Sequence, residues 1–426
     1  MRLLAVLIVF GGLSSAFMTD HKVAKKLVYD DVSYEEEIKT VLLYPNTGNP
    51  QDVFDPPVAP IGQNLLFLEF DDLVEAHEEY RVRIIHCNAD WKPSRLKSLD
   101  YLYEFNEFII NTFEYSVDTK IGYVHYSFRL PPVKLPGNYL LVAYRGSDTK
   151  DIILSKRFMI HSRDVGIGIT SNLTGVTSME RNKQQVDFEV NYSDYEIIDP
   201  QQFFHVTIRQ NQRWDNAIFN LKPRFIREAQ GVLEYRFFNN QNSFGGGNEY
   251  RLFDLRSFRF PGQNVGKIVV DTHPSSAHLM IDQSREYQAY AQNDDINGNF
   301  YIQNTDTGNG QVQSDYFNVK FSLDTKGPVG GNIYVVGKMN NYQRLAENKM
   351  RYDKKTARYT TDVILKQGFY NYQYIVDSDT LGLNYFEGDH FETENIYEIL
   401  AYYRPMNLGA DLLLGYTRVT LNSRER

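Results

Sequence analysis

The chain has 426 residues, a formal net charge of −9, and 31 Tyr and 27 Phe against 2 Trp and 1 Cys. An acidic balance without a basic block argues against a nucleic-acid partner, since phosphate recognition needs clustered Lys and Arg. A single cysteine excludes an internal disulfide, so stability must come from buried cores, and the wealth of Tyr and Phe favours pleated, half-buried strands.

The chain opens with Arg2, an apolar run from Leu3 to Leu13 and the small residues Ser14, Ser15 and Ala16. This predicts a secretory signal peptide over residues 1–16, cleaved after Ala16. The run falls short of the ~20 residues of a bilayer-spanning helix, and no later segment approaches that length. A lipoprotein would carry a cysteine directly after the cleavage point, whereas the cysteine here is Cys87, so no lipid anchor is expected. An outer-membrane barrel fits poorly with the hydrophilic end Asn-Ser-Arg-Glu-Arg.

The first predicted domain, residues 35–162, opens with the strand Ile38–Leu43 and closes with Lys156–Ile160. Within it Glu79–Cys87 alternates with period two, placing Tyr80, Val82, Ile84 and His86 on one face, and Gly137–Tyr144 reads the same way. A helical insert is expected around Ser94–Glu104, after Lys92-Pro93. A second domain, residues 163–312, holds strands at Asp187–Tyr192 and Phe203–Ile208, a turn at Gly245-Gly246-Gly247, and Asn297-Gly298 between apolar runs. Asn-Gly in that setting predicts a hairpin with a type I′ turn. The acidic spelling Asp294-Asp295-Ile296-Asn297-Gly298-Asn299 lacks the glycine spacing and the closing Glu of a calcium loop.

A third domain, residues 313–426, has the clearest rhythm: strand Phe317–Leu323, turn Gly327–Gly331, strand Asn332–Gly337, then Arg358–Leu365 and Phe369–Val376. Short strands bounded by Gly, Pro, Asn and Asp, with no long helices between, predict an all-β fold of tandem immunoglobulin-like β-sandwich domains. The third succession resembles early-set immunoglobulin-like modules, some of which bind glucans. Those usually stack sugars on exposed Trp, and neither Trp lies here.

The densest polar cluster is His86-Cys87-Asn88-Ala89-Asp90-Trp91, with His125-Tyr126 further on. His, Cys and Asp together invite a thiol nucleophile or a metal set, but adjacent strand residues point to opposite faces and the spacing matches no short zinc motif. A strand end turning a corner, with Asn88 or Asp90 bonding backbone amides and Trp91 packed on the core, explains the segment. No phosphate loop, nucleophile elbow or His-Glu-x-x-His occurs, so no catalytic, cofactor or metal residue is assigned. Asn172-Leu173-Thr174 and Asn191-Tyr192-Ser193 match the glycosylation pattern at a frequency expected by chance.

Several segments taken in order are more specific than any one motif. Phe67–Leu73, Ile85–Ser94, His125-Tyr126, Gly137–Leu141 and Lys156–Met159, followed by Phe386–Asp389, Glu392–Asn395 and Tyr402–Pro405, resemble the type IX secretion system plug proteins. The resemblance implies a non-enzymatic, exported periplasmic protein, monomeric when free, that caps the periplasmic mouth of a large outer-membrane β-barrel translocon. It implies no catalytic residue. A periplasmic carbohydrate-binding accessory is the alternative raised by the third domain.

Overall fold

The computed structural model describes residues 25–170 and 182–423. The predicted signal peptide and Asn172-Leu173-Thr174 lie outside the described residues. The strands follow the alternation that selects them: in Tyr80–Cys87, Tyr80, Val82 and Ile84 are buried while Arg81, Arg83 and Ile85 are half-buried. Apolar side chains on one face of the pleat are drawn into a common core, which fixes the register.

In the first sandwich one sheet has the order 32–33, 152–161, 137–145, 80–87, 108–109, with 58–60 added in parallel to 152–161. The facing sheet has the order 38–45, 66–72, 124–129, 112–115. Leu68, Phe70, Tyr80, Val82, Tyr126, Tyr139 and Leu141 fill the space between them. The expected helical insert is a single turn, Ser98–Tyr101, because Leu102 and the residues after it return to extended or bent backbone.

The second and third sandwiches correct the expected borders. The strand Phe204–Gln210 pairs with Asn395–Tyr403 over its whole length, and Asn395–Tyr403 pairs with Leu412–Leu421. These strands face the sheet 166–169, 188–191, 232–235, 225–227 around one core. The third sandwich is inserted within the second. It takes 251–254, 265–269, 275–279 and 300–302, assigned above to residues 163–312, together with 316–324, 332–336, 358–366 and 368–377. A border at 312/313 therefore cuts both sandwiches. Local alternation marks a strand but carries no information about its partner, and here the partner lies nearly two hundred residues away.

The Asn297-Gly298 turn forms with positive φ at both residues, 50° and 79°. The expected hairpin does not. Phe300–Ile302 pairs with Gly368–Asp377, and the residues before Asn297 form no strand. Asp295 anchors the turn by accepting from the backbone of Tyr250 and Asn297, and burial pushes its carboxyl up to about 7. Among the described residues no group of three or more His, Cys, Asp or Glu is arranged to hold a metal.

Candidate functional site

The segment His86–Trp91 divides at once by strand geometry. His86 packs its ring on Tyr101 and Tyr139 inside the first sandwich, at centroid separations of 5.8 and 5.0 Å. Cys87 faces the other way, into a cluster with Ala89, Trp91, Leu140 and Met159. Burial lowers the His86 imidazole to about 4 and pushes the Cys87 thiol up to about 12, so neither is poised as base or thiolate near neutral pH. Asp90 turns outward to Lys92, 2.7 Å away.

What the corner does is join two sandwiches. The Ala89 amide donates to Asp411 Oδ2 at 2.9 Å, the Asp411 amide donates to Asn88 Oδ1 at 3.2 Å, and Arg404 clamps the same carboxylate with two bonds of 2.8 Å. Trp91 meets Trp214 of the second sandwich edge to face at 5.1 Å. The guanidinium of Arg157 lies over both rings, at 5.4 and 5.1 Å, and Arg209 lies over Trp214 at 4.4 Å. Both tryptophans are thus engaged at this joint. Beside it lies an open cleft of about 460 Å³ lined by Asp90, His205, Lys222, Arg404 and Asp411. Thr207 also lines it, but its hydroxyl is buried and makes no bond to His205.

A second joint ties the first sandwich to the third. Asp71 on Leu66–Asp72 accepts from Lys366 Nζ and from the Tyr316 hydroxyl, each at 2.6 Å, and holds His125 Nδ1 at 2.7 Å. Both Asp71 and Lys366 side chains are 1% exposed. Glu69 is bonded by Tyr44 and by Gln311 Nε2, and Lys366 also donates to the Gln311 carbonyl. Burial opposes charge on His125, but its hydrogen bond to Asp71 and the Glu69 carboxylate 3.5 Å from Nε2 outweigh that and raise the imidazole to about 9. An acid, an imidazole and an amine meet here, yet all are sealed between two sheets and bonded to one another. Sequence reasoning placed Asp71 and His125 in the family spelling without joining them, and missed Lys366. Each occupies an ordinary strand position, and only the packing makes them partners.

All three sandwiches meet around Asp31, whose carboxylate receives the backbone and the guanidinium of Arg157 at 2.8 to 3.0 Å. Lys156 reaches Asn341, Gln343 reaches the Asp31 carbonyl, and Lys338 reaches Gln212. The cavity left among them is about 30 Å³, room for a water-sized molecule. Separating the first and third sandwiches would strand the buried Asp71 and Lys366 charges without their partner, a cost of about 3–5 kcal/mol. The arrangement therefore resists hinge motion between sandwiches.

Residues 38–162 match the sequence family described as "Type 9 secretion system plug protein 1st domain". The crystal structure of a hypothetical protein from Parabacteroides merdae is similar at 29% identity and a TM-score of 0.86, over 93% of this chain and 100% of that one. Alpha-2-macroglobulin from E. coli aligns at 10% identity and a TM-score of 0.19, over 93% of this chain and 23% of that one, and carries no argument. No curated protein matches the chain. The first sandwich, residues 38–162, is thus a type 9 secretion system plug protein first domain.

Proposed function

We propose that the chain is a non-enzymatic plug that binds and seals the periplasmic end of the outer-membrane translocon barrel of the type IX secretion system. The observation that carries this is the joining of the three sandwiches: the buried Asp71–Lys366 pair ties the first to the third, and the bonds of the Ala89 amide to Asp411 and of the Asp411 amide to Asn88 tie the first to the second. Blocking a wide channel needs a body that does not deform under load, and chain entropy alone would let tandem domains swing. A reversible stopper also needs an interface of moderate size, wet when free and apolar when docked, for which exposed Tyr and Phe are suited. The location that follows is the periplasm, beside the outer membrane. Among the described residues no helix is long and apolar enough to cross a membrane.

The test is affinity capture with the tagged full-length chain from detergent-solubilised outer membranes of its own source, with mass spectrometry of what is retained. One very large β-barrel is expected in mild salt. A retained fraction without such a barrel overturns the proposal.

A further inference from the structure

One flank of the first sandwich is left as an open strand edge. Thr112–Tyr115 ends its sheet: among the described residues it pairs with Val124–Arg129 on one side and with no strand on the other, and all four residues are exposed. The Ser116 amide bonds the Tyr123 carbonyl, so by antiparallel alternation Phe113 and Tyr115 turn their own N–H and C=O groups outward. Phe108–Ile109 ends the opposing sheet beside it. The free stretch stops at Val117, whose amide is taken by the Val312 carbonyl of the third sandwich.

Two further properties say what this edge accepts. It is apolar: Phe105 is 81% exposed, Tyr115 51% and Phe113 36%, where edge strands are usually guarded by charge or bulges. It is also acidic of one sign. Between Lys97 and Lys120 the chain carries Asp100, Glu104, Glu107, Glu114 and Asp118 and no Lys or Arg. The nearby bases are engaged, Arg81 by Glu79 and Glu107, and Lys134 by the Leu99 carbonyl.

We infer that the Thr112–Tyr115 edge docks an extended segment of the translocon barrel, bearing Lys or Arg among apolar residues, as an added strand. Main-chain bonds to Phe113 and Tyr115 hold it, its apolar side chains cover Phe105 and Tyr115, and its cations meet Glu104 and Glu114. The identity of the partner rests on the plug proposal; the mode of docking rests on the edge.

The experiment places a photoreactive benzoylphenylalanine at Tyr115, at Phe105, or at Tyr287, which is 90% exposed on the third sandwich. The full-length chain is irradiated with solubilised outer membranes and the cross-linked peptides are sequenced. Adducts from positions 115 and 105 to one Lys- or Arg-bearing barrel segment are expected, with none from position 287. The double variant Glu104→Lys/Glu114→Lys, with an unchanged unfolding midpoint, should retain the barrel about tenfold less well. Undiminished capture by that variant, or adducts from position 287 alone, overturns the docking edge and leaves the plug proposal standing. Failure of the wild-type chain to retain a barrel overturns both.

Discussion

Replacing Lys366 with Met tests whether the first and third sandwiches are bolted together by a buried charge. Lys366 Nζ and Asp71 Oδ2 lie 2.6 Å apart, both almost without solvent. At an effective dielectric of about 20 their attraction is about 6 kcal/mol, offset by a desolvation cost of several kcal/mol for each ion. The intact pair is therefore near balance, while the lone carboxylate left by Lys366→Met bears its desolvation without that return. His125 on Oδ1 and the Tyr316 hydroxyl on Oδ2 soften the loss, which puts the cost at about 3 kcal/mol, the low end for a broken buried pair. Asp71→Asn added to Lys366→Met should recover about 1 kcal/mol of that, because no carboxylate is left without its amine while His125 loses the partner that holds its proton. Denaturant unfolding followed by calorimetry and by the fluorescence of Trp91 and Trp214 measures both variants and the cycle between them. A single-variant loss below about 1 kcal/mol, or a double variant that loses the sum of two singles, would falsify the bolt.

The His125 imidazole, raised to about 9 by Asp71 and Glu69 against its burial, sets an alkaline limit. Its folded value lies above the unfolded one, so its contribution is complete below about pH 6.5 and is lost as pH rises through about 9. Unfolding free energy should fall by about 2–3 kcal/mol between pH 7 and pH 10, and His125→Asn should flatten that slope; an equal slope in the variant rules the group out. Cys87, buried with its thiol pushed up to about 12, should resist a disulfide reagent at pH 8 until denaturant is added. Rapid native labelling would show that the thiol is reachable. Gly137→Ala should cost about 2 kcal/mol, because a Cβ there would stand 2.4 Å from His86 Nε2. His86→Ala in the same chain should return part of it, and an unfolding midpoint unmoved by Gly137→Ala would mean that the ring yields freely.

The sequence by itself determined the fold class and the position of many long strands, because period two is a local property, but not of Asn395–Tyr403 or Leu412–Leu421. Tyr80–Cys87 and Gly137–Arg145 need only their own residues to declare which face is apolar. It also determined the corner at Asn88–Trp91, since adjacent strand residues cannot share a face, and His86 and Cys87 separate accordingly. The family spelling of the first domain was legible for a related reason: corners and cores repeat as short strings. Tertiary structure alone decided which strands pair. Phe204–Gln210 takes Asn395–Tyr403 as its neighbour, and nothing in either string names the other. It decided the joints as well. Asp71 and Lys366 look like solvated strand positions, and they become a buried ion pair only because two sheets close over them across 295 residues of chain. A charge on a strand reads as exposed until a second sheet removes the water, and that event is written in packing rather than in pattern.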